Sequence, residues 1–253
     1  MTLPSDAATQ FDPAAAEQME KIICDLGRMY HERNEALQEV ARAHHEALFQ
    51  LAMAAEYKDD DTGVHIVRIG FLAEALALYL GQSRSYALLL RKAAPMHDVG
   101  KIGIPDSVLK KPGALTPEER QVMNRHAIIG ADILGKSRIA LFQLAAEVAL
   151  THHERWDGHG YPRQLAGNAI PLSGRIVSVV DFYDALTMDR VYRPALPHEQ
   201  ALEMLQAQRG KAFDPAIVDC FMRHSTELLA LRLSITECRM NFADLVQAEQ
   251  RAP

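Results

Sequence analysis

The residues in this sequence best equipped for chemistry begin with an adjacent histidine and aspartate, His97-Asp98, which close an apolar run containing Ala93, Ala94 and Met96. Imidazole beside carboxylate offers a neutral nitrogen and an anionic oxygen, a donor pair suited to first-row divalent cations. Lys101 follows three residues on, within a Gly/Pro-punctuated stretch from Gly100 to Gly113 that is expected as loop. Most isolated His-Asp pairs are solvated or cap a helix. This pair has company: His65 upstream, and His126, His152-His153 and Asp181 downstream, each on or beside an apolar helical pattern. His126 falls on the stripe Val122, Ile129, Ile133, and Asp181 lies in the nearly all-apolar run Arg175 to Met188. Singly, His126 reads as a satisfied core histidine and Asp181 as a helix-to-loop hydrogen bonder. Together they read differently, because an ionised carboxylate buried without a partner would neutralise instead. A cluster of cations removes that penalty for all of them at once.

The elements that must position these groups are helical. Apolar residues recur at alternating steps of four and three from Met19 through Ile23, Leu26, Tyr30, Leu37, Val40, Ala47 and Leu51, with Arg33 and His44 interrupting the stripe. This is a long amphipathic helix that either pairs as a coiled coil or packs on its own domain. A second helix is expected from Val64 to Leu80, with Ile66, Ile69, Leu72, Ala73 and Leu76 inward, and a third from Tyr86 to His97. Thr116-Pro117-Glu118-Glu119 reads as a capping box that starts the helix carrying His126. Another helix begins near Arg138 and ends at His152-His153. The long Gly- and Pro-rich stretch Glu154 to Gly174 reads as a loop that is either functional or disordered, since compact domains rarely carry such stretches otherwise. Further helices are expected at 197–209 and 215–229. No alternating strand pattern of useful length appears, so the expected fold is all-α. The organisation read from these patterns is a disordered N-terminus (1–18), a linker or dimerisation helix (19–50), a catalytic domain (51–225) and a helical tail (226–253).

Composition narrows the function classes. A net charge of -6 argues against binding to DNA, RNA or anionic membrane, which clustered Lys and Arg drive. Three widely spaced cysteines give neither a disulfide framework nor a zinc knuckle and are read as belonging to a reducing cytoplasm. The most apolar stretch, Phe71 to Leu80, is too short to span a bilayer and contains Glu74.

His65, His97-Asp98 and Asp181 resemble the pattern of the HD superfamily of metal-dependent phosphohydrolases. The tract His152-His153-Glu154-Arg155-Trp156-Asp157-Gly158-His159-Gly160-Tyr161-Pro162 is similar to the signature of its HD-GYP subfamily. So are His97–Asp106, Lys111-Pro112-Gly113 and Arg190-Val191-Tyr192-Arg193. The resemblance implies an HD-type helical bundle and hydrolysis of cyclic di-GMP to the linear dinucleotide pGpG, in some members onward to GMP. It implies a first divalent metal on His65, His97, Asp98 and Asp181, and a second on Asp98, His126, His152 and His153. A hydroxide generated on the paired ions is the expected nucleophile. Some members hold a third metal with a Glu four residues before the first histidine; here that position is Asp61, one bond shorter in reach.

The same resemblance gives Lys101 a phosphate or leaving-group role and lets Arg190 and Arg193 grip a phosphate or guanine edge through their planar forks. Tyr161 would line the pocket, and Gly160 would let backbone approach the substrate. Iron or manganese suits the nitrogen-rich donor set, with nickel or zinc as alternatives. Two rival readings stay open: an HD phosphohydrolase for another cyclic dinucleotide or nucleotide, and an inactive cyclic di-GMP receptor or scaffold. Family members often carry a receiver or sensor domain. The expected partners here are therefore a second copy of the chain through the N-terminal helix, or a separate sensor, receiver or diguanylate cyclase protein.

Overall fold

The computed structural model describes residues 13–58, 63–189 and 194–238. Among them there is no β-strand, and the sole bridge joins Arg209 and Phe213. The helices are α1 (Pro13–Lys58), α2 (Val64–Tyr79), α3 (Arg84–Ala93), α4 (Asp106–Leu109), α5 (Pro117–Asn124), α6 (His126–Leu134), α7 (Ala140–Thr151), α8 (Leu172–Thr187), α9 (His198–Ala207), α10 (Pro215–Arg223) and α11 (Ser225–Glu237). The all-α expectation holds. Arg190, Arg193 and Asp61 lie outside the described residues.

The chain divides into two compact units, the first ending at His44 and the second beginning at His45. In the first, α1 is already helical at Pro13, where a disordered N-terminus was expected. Its flank carries ion pairs one turn apart, Arg28 with Asp25 and Glu32 and Arg42 with Glu39, each contributing a few tenths of a kcal/mol to an exposed helix. Met19, Ile23, Leu26, Tyr30, Leu37 and Val40 are all exposed.

In the second unit the end of α1 buries Leu48, Phe49, Ala52 and Ala55. The expected stripe, continuing through Ala47 and Leu51, is offset from this face: Ala47 and Leu51 are exposed. α2 is the central element, packed by α3, α8 and α11. Its predicted inner positions Ile66, Ile69, Leu72, Ala73 and Leu76 are fully buried. α7 lies between α6, α3 and α8.

Three expectations about element boundaries are corrected. The helix carrying His126 is broken at Arg125, so Val122 and Ile133 do not share its inner face; α6 instead buries His126, Ala127, Gly130 and Leu134, and Ile133 is exposed. The capping box at Thr116 and Glu119 is formed, but it starts α5 alone. The stretch after Asp98 is not open loop: Val99–Gly103 is a 3-10 helix and Asp106–Leu109 a single turn of α-helix. Residues 215–229 form two helices, because His224 ends α10 and α11 runs on to Glu237, burying Leu228 and Ile235.

Candidate metal centre

Each donor sits where an element begins, ends or turns, except Asp181, which lies within α8. His65 is in the first turn of α2, and His97-Asp98 join two short 3-10 helices. His126 opens α6, and His152 caps α7 with His153 just beyond. Small residues let these elements close on one another. A side chain at Gly100 would collide with the backbone of His126 and Gly130, and one at Gly174 would collide with Thr151, the residue before His152. Glycine here is a packing requirement, and it brings Asp98 to His126 and α8 to the end of α7.

The hydrogen bonds fix how the imidazoles face. Nδ1 of His97 bonds the carbonyl of Ala94 at 3.0 Å, Nδ1 of His126 that of Met123 at 2.8 Å and Nδ1 of His152 that of Ala149 at 3.0 Å. Nδ1 of His65 bonds Oδ2 of Asp184 at 2.7 Å. Carbonyl and carboxylate oxygens only accept, so each Nδ1 carries a proton, and in the neutral rings of His97, His126 and His152 the Nε2 keeps its lone pair. Nε2 of His97, His126 and His152 and Oδ1 of Asp98 are buried with no hydrogen-bond partner. Buried polar atoms without partners are rare and need an explanation. A cluster of such acceptors around one space is what a cation would satisfy.

The donors form two groups, His65, His97 and Asp181 in one and Asp98, His126, His152 and His153 in the other, with donor atoms in each within 4.8 Å of one another. Asp98 faces both. Its Oδ2 lies 3.5 Å from His97 Nε2, while its Oδ1 lies 3.3 Å from His126 Nε2 and 3.6 Å from His152 Nε2. Asp181 Oδ1 is 3.4 Å from His65 Nε2 and 3.7 Å from His97 Nε2. The residues present fit a pair of divalent ions, and nothing in the geometry selects which metal.

Electrostatics point the same way. Burial pushes the pKa of His97 down to about 4 and lowers those of His126 and His153, so these imidazoles are neutral donors at pH 7. Burial alone would raise Asp98, but Lys101 and the surrounding imidazoles outweigh it and hold the carboxyl well below its ordinary value. Asp181 is lowered likewise, with burial opposed chiefly by the bond to His65. His65 moves upward: burial disfavours its charge, yet Asp181 and Asp184 together overcome that. Its site therefore favours a positive charge, which either a proton or a metal ion supplies.

Lys101 Nζ is 2.8 Å from Asp98 Oδ2. Its turn is tied down by Lys58 at the end of α1, which donates to the carbonyls of Ile102 at 2.8 Å and Ile104 at 2.7 Å. Tyr161 stacks on His153, with ring centroids 4.8 Å apart. A cleft of about 520 Å³ opens beside the donors, lined by His152, His153, Gly160, Tyr161, Asp181 and Phe213 among others. Gly160 has a second reason to be glycine. A Cβ there would strike His153, Glu154 and Arg155 of its own loop, so the close approach it permits is within the loop. The exposed side chain of His159 also borders the cleft, while Trp156 packs beneath Arg175.

Several contributors escaped the sequence reading. Glu154 is buried and accepts from the amides of Arg163 and Leu165, which organises the glycine-rich loop from within. Asp184, Arg68 and Arg232 form a buried network behind His65. For two of these a signal existed: Arg68 follows His65, and Asp184 follows Asp181, by three residues, which places each on its ligand's side of the helix. Nothing in the sequence pointed to Arg232.

The HD domain family matches residues 19–217. Over 192 residues the chain is 43% identical to a 3'3'-cGAMP-specific phosphodiesterase of Vibrio cholerae, covering 76% of this chain and 37% of that protein. Over 183 residues it is 45% identical to a cyclic di-GMP phosphodiesterase of Thermotoga maritima, covering 72% of this chain and 50% of that one. The chain thus spans half or less of the length of these relatives. A crystal structure of a cyclic GMP-AMP specific phosphodiesterase of V. cholerae shares the fold with a TM-score of 0.61 at 20% identity, covering 81% of this chain and 54% of that one.

Proposed function

This chain belongs to the HD domain family, in its HD-GYP branch, and on that premise we propose that it is a metal-dependent phosphodiesterase that hydrolyses cyclic di-GMP to linear pGpG. The observation that carries the proposal is the convergence of partnerless Nε2 atoms on a carboxylate whose two oxygens face two donor groups. His65, His97, Asp98 and Asp181 would hold one divalent ion, and Asp98, His126, His152 and His153 the other. Such a pair supplies what phosphodiester hydrolysis lacks in water, namely acidification of the attacking water and neutralisation of the attacked anion. Iron or manganese fits the oxygen and imidazole donors best, with nickel and zinc next.

The chain's own groups then do the positioning. Asp98 would contribute to holding both ions. Lys101 keeps a positive charge beside it, where a phosphate oxygen or departing alkoxide needs one. Tyr161, held against His153, and Gly160 form the wall along which the substrate lies. Arg190 and Arg193, three apart, grip phosphate or guanine; Asp61 is the candidate for a third ion. The protein works in the cytoplasm, where cyclic dinucleotides are made and read. No helix among the described residues is long and apolar enough to cross a membrane. A second copy paired through α1, or a separate sensor or cyclase protein, would control it.

The test is anaerobic loading of the chain with ferrous or manganous ion, a count of metals per chain, and assay on cyclic di-GMP and 3'3'-cGAMP side by side. Two ions and production of pGpG are expected. The V. cholerae relative favours a second reading in which 3'3'-cGAMP is the better substrate. Turnover of that dinucleotide alone would establish it, and tight binding with no turnover by the two-metal form would make the protein a receptor.

A further inference from the structure

Behind the metal centre the i, i+3 pairs His65/Arg68 on α2 and Asp181/Asp184 on α8 face each other. Asp184 is fully buried and accepts four bonds: from Arg68 Nε at 2.7 Å and Arg232 Nε at 3.0 Å on Oδ1, and from His65 Nδ1 at 2.7 Å and Arg68 Nη2 at 2.8 Å on Oδ2. Four bonds fill the acceptor capacity of a carboxylate, so its plane, and with it the His65 ring, is held in one orientation. Arg232 comes from α11, beyond residues 19–217 matched by the family. It also donates through Nη2 to the carbonyl of Thr187, the last residue of α8, at 2.5 Å. α11 is seated for this by Leu228 and Ile235, both fully buried.

We infer that Arg232 is a positioning residue for one of the two metal sites: by bracing Asp184 and the end of α8 it fixes His65 Nε2 as a donor, making the C-terminal helix part of the centre. The selectivity follows from the hydrogen bonds. His97, His126 and His152 are oriented by carbonyls of their own segments, and His65 alone among these four is oriented by the Asp184 network. Loss of Arg232 should therefore weaken the ion at His65, His97 and Asp181 and spare the ion at Asp98, His126, His152 and His153.

The inference rests on the proposed two-metal reading and is tested by Mn2+ titration of the full chain, followed by electron paramagnetic resonance and calorimetry, without substrate. Arg232→Met fills the space without donors, Arg232→Lys keeps the charge and one donor, and Leu205→Ala removes a fully buried side chain of α9, outside α11. Orienting groups of this kind are worth about 10–100-fold in metal affinity. One Mn2+ should bind weaker by about that factor in Arg232→Met while the other stays within about threefold, and Arg232→Lys should recover part of the loss. Leu205→Ala should lower the melting temperature yet bind both ions as wild type does.

Unchanged binding of both ions, equal weakening of both, or the same selective loss in Leu205→Ala would overturn it. If Arg232→Met does not fold, Arg232→Lys decides alone, by selective weakening or none. Wild-type protein that binds two ions without hydrolysing any cyclic dinucleotide would sink the proposed activity and leave this inference standing.

Discussion

The two oxygens of Asp98 face different partners, His97 on one side and His126 with His152 on the other. Every other described ligand of the two proposed ions falls in a single group. Replacing Asp98 by alanine should therefore lower metal content from two ions to less than one, read by elemental analysis, where loss of His126 should cost one ion at most. Turnover in the Asp98 variant should fall beyond the roughly 10²–10³-fold typical of losing a single stabilising group. His65 differs from His97, His126 and His152 because an acid rather than a carbonyl orients it, and its charge state follows. Lys101 and Tyr161 touch the ligands themselves, one paired with Asp98 and the other stacked on His153. Positions proposed to meet substrate thus also contact the candidate donors.

Between elements, spacing is set by glycine. At Gly174 the third residue of α8 lies against Thr151, the last of α7, with no room for a methyl group. That contact sets how far Asp181 lies from His152 and His153. Gly174→Ala should force the helices apart, cost roughly 1–3 kcal/mol as overpacking does, and weaken metal binding although no ligand has changed. Thermal melting and a metal titration check the two halves of this expectation. The break at Arg125 acts similarly: by ending α5 it lets His126 start a new helix whose first turn points at Asp98. Periodicity read through that break produced a stripe that the structure does not contain.

For the whole molecule, protons and metal compete. Without metal, His97 has a folded pKa near 4 against about 6.5 unfolded. The folded state thus refuses a proton that the unfolded chain takes. Its contribution to stability is complete above pH 6.5 and drains away as pH falls toward 4, by roughly 3 kcal/mol from this group. His126 and His153 act in the same direction. His65 opposes them, its contribution being complete below pH 6.5 and lost as pH rises through its raised value. Three groups against one predict that the melting temperature in chelator falls between pH 6.5 and 4. A flat profile over that range would contradict the buried neutral histidines. The exposed stripe of α1 bears on assembly: Leu37→Glu with Val40→Glu should convert a dimer to monomer in sedimentation if that helix pairs two copies, and leave the mass unchanged if it does not.

The sequence by itself determined the helical class, the inner face of α2, the capping box at Thr116 and the candidate donors. Each depends on periodicity, on a local hydrogen bond, or on the cost of placing a polar group where packing wants an apolar one. The family resemblance implied two sets sharing Asp98; only the tertiary structure decided how close each set lies to its two oxygens, that Gly100 and Gly174 set the spacing, and that a helix in the tail reaches Asp184. Those facts depend on which backbones lie against each other, and residues as distant as Arg68, Asp184 and Arg232 share no local pattern that would place them together.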